Sequence, residues 1–295
     1  MRLAKVSFPD GSVSHAFATR GYWVRCSALS TDSTGDAFYL EFIHKLEKYE
    51  SSLSLADVLV ARDRGDAVLE ESAKFHNPLP RAGKILAVGM NYLDHIAEMG
   101  AKPPAEPFVF GKYASSITGP SDEVEVDFGL VTELDYEVEL GVVIGRYARD
   151  ISVEHAMDIV AGYLVVNDLS SRNLQYSESQ WIRSKSFDGF CPVGPWLTTA
   201  ADVPNPQDLT LWSRVNGEQR QMSSTAQMLF PVAQLIAHCS RGTTLQPGDL
   251  LITGTPPGVA MGLPGKPWLK PGDVVECGVA GLGELRTRIL GRSTS

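Results

Sequence analysis

Asp135-Tyr136-Glu137-Val138-Glu139-Leu140-Gly141-Val142-Val143-Ile144-Gly145 is the stretch on which the fold and the chemistry of this chain turn. Read as a β-strand, it sends Glu137 and Glu139 to one face and Tyr136, Val138 and Leu140 to the other. The uninterrupted apolar run that follows argues for a buried strand, so two carboxylates would share one face of a mostly dry element. Burying like charges side by side is costly, and a divalent cation is the usual compensation. The plainer alternative is a half-exposed strand whose wet face carries two glutamates.

The chain around this strand has the composition of an ordinary globular protein. Its 295 residues are 43% hydrophobic and 21% charged, enough for a large core and room for two domains. Its longest apolar runs, 141–144 and 161–166, are of strand length, so no membrane partner is expected. The first eleven residues read as a strand entering the turn Pro9-Asp10-Gly11 and lack the apolar centre of a signal peptide, which places the protein in the cytoplasm. Four widely spaced cysteines, Cys26, Cys191, Cys239 and Cys277, form no metal knuckle or disulfide framework. A net charge of −9 without a basic run excludes nucleic acid as an expected partner.

Upstream, residues 3–6 and 15–17 flank a hairpin turn, Asp36 to Glu50 carries Phe38, Phe42, Leu46 and Tyr49 at helical spacing, and a second short helix is expected from Ser54. His15 and His44 have no clustered partner and read as packing or surface residues. Asn77-Pro78-Leu79-Pro80-Arg81-Ala82-Gly83 is the best linker, which divides the chain into a small N-terminal domain, 1–76, and a large one, 77–295.

After the linker, a short buried strand (84–89) leads into a helical turn carrying His95 and Glu98. Three residues apart, the carboxylate can approach the imidazole and fix its tautomer, which is how a general base is built; a helix end with a solvated His and Glu is the alternative. Gly100, Pro103, Pro104 and Pro107 then form a connector able to act as a lid. An aromatic strand, 108–112, delivers Lys112. Glu125 and Asp127 alternate like the acidic pair but precede a loop. Ser152 is expected to cap a helix through about Val160, and the buried strand 162–166 ends at Asn167-Asp168. Asp168 is placed to be a third oxygen ligand beside Glu137 and Glu139. Oxygen-only ligation points to Mg²⁺ or Mn²⁺ and away from zinc. Arg172 has the chemistry to hold a carboxylate, and Lys185 offers a point charge to an oxyanion. Further on, Asn216-Gly217 signals a hairpin, Pro231 opens a helix stopped by Gly242, and Thr255 in the Gly-Pro loop 254–258 is a donor for a substrate carboxylate unless that segment is a plain irregular loop.

Taken in series, Val88-Gly89-Met90-Asn91-Tyr92 with His95 and Glu98, Tyr136 to Leu140, Asn167-Asp168-Leu169-Ser170-Ser171-Arg172, Lys185-Ser186-Phe187-Asp188 and Thr253 to Val259 resemble the fumarylacetoacetate hydrolase superfamily, in its two-domain bacterial form. The resemblance runs from about Gly83 to the end. It implies an α+β protein whose C-terminal domain is a β-rich, mixed-sheet roll. It implies Glu137, Glu139 and Asp168 as metal ligands, His95 and Glu98 as the catalytic dyad with Lys185 beside the substrate, and Lys112, Arg172, Gln175 and Thr255 as substrate-binding residues. It further implies a homodimer and a small anionic 2-oxo acid as substrate. Ser171-Arg172-Asn173 and Tyr176-Ser177-Glu178-Ser179 depart from the family's usual residues beside the pocket, which bears on the substrate more than on the metal. The expected activity is metal-dependent hydrolysis of a carbon–carbon bond in an acylpyruvate or fumarylacetoacetate type of acid. Oxaloacetate decarboxylation, isomerisation of a 2-hydroxy-dienedioate in aromatic catabolism, and a non-catalytic binding protein of the same fold are the alternatives.

Overall fold

The computed structural model describes residues 1–26, 40–79 and 82–292. The acidic strand, Val138–Ile144, lies near the middle of a twelve-stranded mixed sheet. It pairs antiparallel with Val160–Asn167 from Val138 opposite Asn167 to Val143 opposite Gly162, and on its other edge with Leu250–Ile252. Every residue of both long strands is buried, as the continuous apolar runs require. Beyond Leu250–Ile252 the sheet continues through Ile85–Gly89, which is parallel to it, and ends at Phe108–Lys112.

Alternation divides the core between two faces. Val138, Leu140 and Val142 pack toward a second, five-stranded sheet that contributes Leu211, Val275, Cys277, Leu285 and Ile289. Val143 packs with Leu164, Val166, Ile43 and Val58 on the other side. Each fully buried Val or Leu contributes roughly 1.5–3 kcal/mol. Gly141 is required by this close packing, because a Cβ there would lie 2.6 Å from Leu164 and 2.7 Å from Val166. The odd-numbered face that carries Val143 also carries Glu137 and Glu139, at the end of the strand where the core opens.

The N-terminal residues form strands Arg2–Ser7, Val13–Thr19 and Tyr22–Arg25, followed by helices Leu40–Ser52 and Leu55–Asp63. Ser54 caps the second helix in a reciprocal capping box with Asp57. The first turn of the expected helix, with Phe38, lies outside the described residues, as do Pro80 and Arg81 of the linker. Arg2–Ser7 pairs with Cys191–Thr199 (Arg2 opposite Thr198, Leu3 opposite Leu197), so the large sheet runs without a break across the compositional boundary near residue 76.

The helix expected after Ser152 is present as a 3₁₀ helix, Val153–Ile159. Ser152 makes no capping bond with its side chain, and Val160 enters the sheet at once, which leaves seven residues to wind tightly between two anchors. At the Asn216-Gly217 turn both residues take positive φ, 53° and 82°, as a two-residue hairpin demands. The helix opened by Pro231 runs Val232–Ser240. Glu125 stands exposed on its strand, Glu123–Val126, and takes no part in any site. Among the described residues, no helix is long and apolar enough to cross a membrane.

Candidate active site

Three elements meet at the open end of the acidic strand. The backbone N–H of Asp168 donates to the Glu137 carbonyl at 2.8 Å, and the Glu137 N–H donates to Asn167 Oδ1 at 3.1 Å, which fixes the two acidic residues side by side. Glu137, Glu139 and Asp168 are all buried, and one oxygen from each lies within 4.8 Å of the others.

Cations surround this cluster unevenly. Lys185 Nζ donates to Glu137 Oε2 (2.6 Å) and Asp168 Oδ2 (2.9 Å), and Arg172 Nη2 donates to Glu137 Oε1 (2.5 Å). Among the described residues, Glu139 accepts only from the backbone N–H of Gly254, at 2.5 Å. Burial alone would raise the Glu137 carboxyl, but Lys185 and Arg172 outweigh it and hold the group at about 2. Burial pushes the Glu139 carboxyl well above its usual range, and Asp168 and Glu137 push it further. Lys185 loses to burial less than it gains from Asp168 and Glu137, so its ammonium is held charged.

Counting Asp135, four buried carboxylates face three buried cations, Lys112, Arg172 and Lys185. The unmatched carboxylate is Glu139. An oxygen-only donor set of this size with a net negative charge suits Mg²⁺ or Mn²⁺, with Glu137, Glu139 and Asp168 as the residues that would hold it.

His95 enters the same recess on the helix Leu93–Glu98. Its Nδ1 lies 2.8 Å from Glu98 Oε2. A carboxylate only accepts, so Nδ1 carries the proton and Nε2 is left as the ring's basic nitrogen. Glu98 is itself seated: Oε1 accepts from the Gly258 N–H at 2.9 Å, and Gly262 leaves the space it fills, since a Cβ there would stand 2.5 Å from the Glu98 carboxyl carbon. The helix is tied from below by Asn91, whose side chain bonds to the carbonyls of Thr253 and Phe230 and to the Phe230 N–H.

Three of the residues expected to bind substrate make hydrogen bonds within the protein. Lys112 lies behind the cluster with no exposed side-chain surface. Its ammonium donates to Asp168 Oδ1 (2.5 Å) and to the carbonyls of Lys185 and Phe190, so it supports Asp168 from behind. The Thr255 hydroxyl donates to the Val138 carbonyl at 3.0 Å and accepts from Gln221, which leaves no hydroxyl proton for a substrate carboxylate. Arg172 lines the recess with one bond each to Asp135, Glu137 and the Gln175 amide oxygen, three of its five N–H groups, and Gln175 lines the recess beside it.

Two positioning residues escaped the sequence reading. Asp135 accepts from Arg172 Nε and from the N–H groups of Tyr136, Ala260 and Met261, which joins the acidic strand to the 260–261 loop. Gln221 accepts from the Val138 N–H and donates to Thr255 and to the Pro256 carbonyl, which joins the same strand to the Gly-Pro loop. The place of Asp135 directly before the acidic pair was the one available signal; a lone glutamine in a hairpin strand offers none.

Residues 84–290 match the family described as the C-terminal region of fumarylacetoacetate (FAA) hydrolase. The chain belongs to the fumarylacetoacetate hydrolase family. A Burkholderia multivorans protein provisionally named a hydrolase is 52% identical over 206 residues, which cover 69% of this chain and 73% of that protein. Among solved structures, the fumarylacetoacetate hydrolase of Exiguobacterium antarcticum is 33% identical with a TM-score of 0.80, over 99% of this chain and 100% of that one. The 5-carboxymethyl-2-hydroxymuconate delta-isomerase of Mycobacterium smegmatis is 30% identical with a TM-score of 0.77, over the whole of both chains. The β-rich roll with a small N-terminal region is thus the fold of the family, and the family includes both hydrolases and isomerases.

Proposed function

We propose that this fumarylacetoacetate hydrolase family enzyme is a Mg²⁺- or Mn²⁺-dependent hydrolase that splits a carbon–carbon bond in a small 2-oxo or 1,3-dicarbonyl acid. One observation carries the reading: His95, hydrogen-bonded to Glu98, lines the same recess as Glu137 and Glu139, two of the three clustered carboxylates. Bound there, the divalent cation supplies Lewis acidity toward the carboxylate and keto oxygens of a 2-oxo acid.

The residues of the chain account for the proton transfers. His95 Nε2 takes a proton from water as the water oxygen adds to the distal carbonyl, and Glu98 steadies the imidazolium that results. When the bond between that carbon and the adjacent methylene breaks, its electron pair passes to the methylene as the enolate of a pyruvate unit. The Lys185 ammonium stabilises this charge, and the imidazolium returns the proton to carbon. One water is consumed, and a carboxylic acid and pyruvate are released.

The likeness to a delta-isomerase supports a second reading, in which His95 moves a proton within a dienoic 2-oxo acid without adding water. A turnover assay with Mg²⁺ or Mn²⁺ separates the two. Acylpyruvates, oxaloacetate and ring-cleavage dienoates are offered beside a chelated control, and release of pyruvate with uptake of ¹⁸O from water into the acid product is the expected result. Isomerised product without ¹⁸O uptake overturns the hydrolytic reading.

A further inference from the structure

The strand Glu218–Ser224 stands at the edge of the five-stranded sheet, and one of its faces reaches both halves of the candidate site. Alternation puts Gln221 and Ser223 on the same side, with Met222 between them turned to solvent at 56% exposure. Gln221, fully buried, accepts from the Val138 N–H, between Glu137 and Glu139. Ser223 reaches the other half: its hydroxyl donates to Asp94 Oδ2 at 2.5 Å, in the residue directly before His95. Alternate residues of a strand lie about 6.5 Å apart, so the acidic strand and the helix of His95 are tied to neighbouring points on one element.

The bond from Ser223 aims the helix. Asp94 Oδ1 accepts from the backbone N–H of His95 at 2.9 Å while Oδ2 accepts from Ser223, so a single carboxylate joins the His95 backbone to the strand. An acidic residue that only offset the positive end of a helix would need no partner on another element. The helix Leu93–Glu98 has six residues, too few to keep its direction alone, and what its ends bond to sets its place. The chain that runs on from the strand holds the residues before the helix: Met228 bridges Tyr92, and the Leu229 N–H donates to the Asn91 carbonyl at 2.7 Å. At the far end Glu98 accepts from the Gly258 N–H, and Gly258 packs on the Arg220 carbonyl, where any Cβ would collide. These anchors all lead back to residues 220–230.

We propose that Asp94 and Ser223 are positioning residues, and that the strand Glu218–Ser224 sets the distance between His95 and the divalent cation. The proposal rests on the reading of Glu137, Glu139 and Asp168 as the seat of that cation. Both residues act through His95.

Crystals of the Mn²⁺-loaded protein and its variants test it, read as the distance from His95 Nε2 to the ion. Ser223→Ala and Asp94→Ala each lengthen that distance by about 1 Å or spread the ring over two positions; kcat on the acid that the turnover assay selects falls by about 10- to 100-fold, while KM and Mn²⁺ affinity hold. Adding Ser223→Ala to Asp94→Ala costs nothing more, as one shared bond requires. Ser223→Thr, which keeps the hydroxyl, retains the parent's distance and kcat. Met222→Gln, on the opposite face of the strand, changes neither. An unmoved His95 in both Ala variants, or a double variant with the summed loss, overturns the positioning role while the functional reading stands. An ion bound elsewhere in the unaltered protein, or none, overturns the functional reading and the positioning role with it.

Discussion

Lys112→Met separates a structural lysine from a substrate-binding one. The substitution keeps most of the side-chain volume and removes an ammonium that donates to Asp168 Oδ1 and to two backbone carbonyls, all in a region with no exposed side-chain surface. Removing one partner of a buried ion pair costs about 3–5 kcal/mol; Asp168 keeps Lys185, but it loses one of its two cations and the carbonyls of Lys185 and Phe190 lose a buried donor. For a chain of this size each kcal/mol moves the midpoint by roughly 2 °C, so Tm should fall by about 6–10 °C in calorimetry of the metal-free protein. Part of the loss should return on adding Mg²⁺, which offers Asp168 another positive partner. A lysine that served only to bind substrate would leave Tm unchanged and raise KM. An unchanged Tm would refute the assignment of Lys112 as the support of Asp168.

His95→Ala should lower kcat by about 10²- to 10⁴-fold with little change in metal affinity measured by calorimetry, because the proposed mechanism uses His95 as a base and not as a ligand; full retained activity contradicts the mechanism. Glu98→Gln should cost less, since it keeps the shape that fits against Gly262 while losing the charge that steadies the imidazolium and one of the two acceptors that meet His95 and the Gly258 N–H. Metal affinity should climb as pH rises from the acid side, because Glu139, held protonated well above the usual carboxylate range, must release its proton to become a ligand; titrations at stepped pH that show no slope count against it as a ligand. Glu137 works in the opposite sense for folding: its carboxyl is depressed to about 2, so its contribution is present above the ordinary carboxylate range and is lost as pH falls from there toward 2, which acid unfolding of Glu137→Gln beside the parent should show as a flatter profile. A chain starting at residue 77 should be poorly soluble, because Cys191–Thr199 loses its partner Arg2–Ser7 and becomes an open edge; a monodisperse product with an unchanged Tm would show that the N-terminal strands are dispensable.

Local pattern carried the reading of the acidic strand. The alternation around Glu137 and Glu139 set which side chains share a face, and the apolar run after them set its burial; both are properties of consecutive residues. The Asn216-Gly217 hairpin was legible for the same reason. Depth and direction at a strand end were not. Lys112 closes an aromatic strand in a way compatible with facing a substrate or facing inward, and only the long-range approach of Asp168 and of the carbonyls of Lys185 and Phe190 decides between them. Thr255 was recognisable as a hydroxyl near the site, but its proton goes to Val138, 117 residues away in the chain. The pairing of residue 2 with residue 198 likewise leaves no trace in the linker, whose prolines and glycine mark a loop and say nothing of the sheet on either side.

In the proposed function, Glu137, Glu139 and Asp168 hold one divalent cation in the recess that His95 lines. A crystal grown with Mn²⁺ and measured at the manganese edge tests it most directly. One anomalous peak is expected, with an oxygen from each of the three side chains at about 2.0–2.3 Å, and it should be lost in Glu139→Gln. A peak elsewhere, or any of the three carboxylates farther than about 3 Å from the ion, would contradict it.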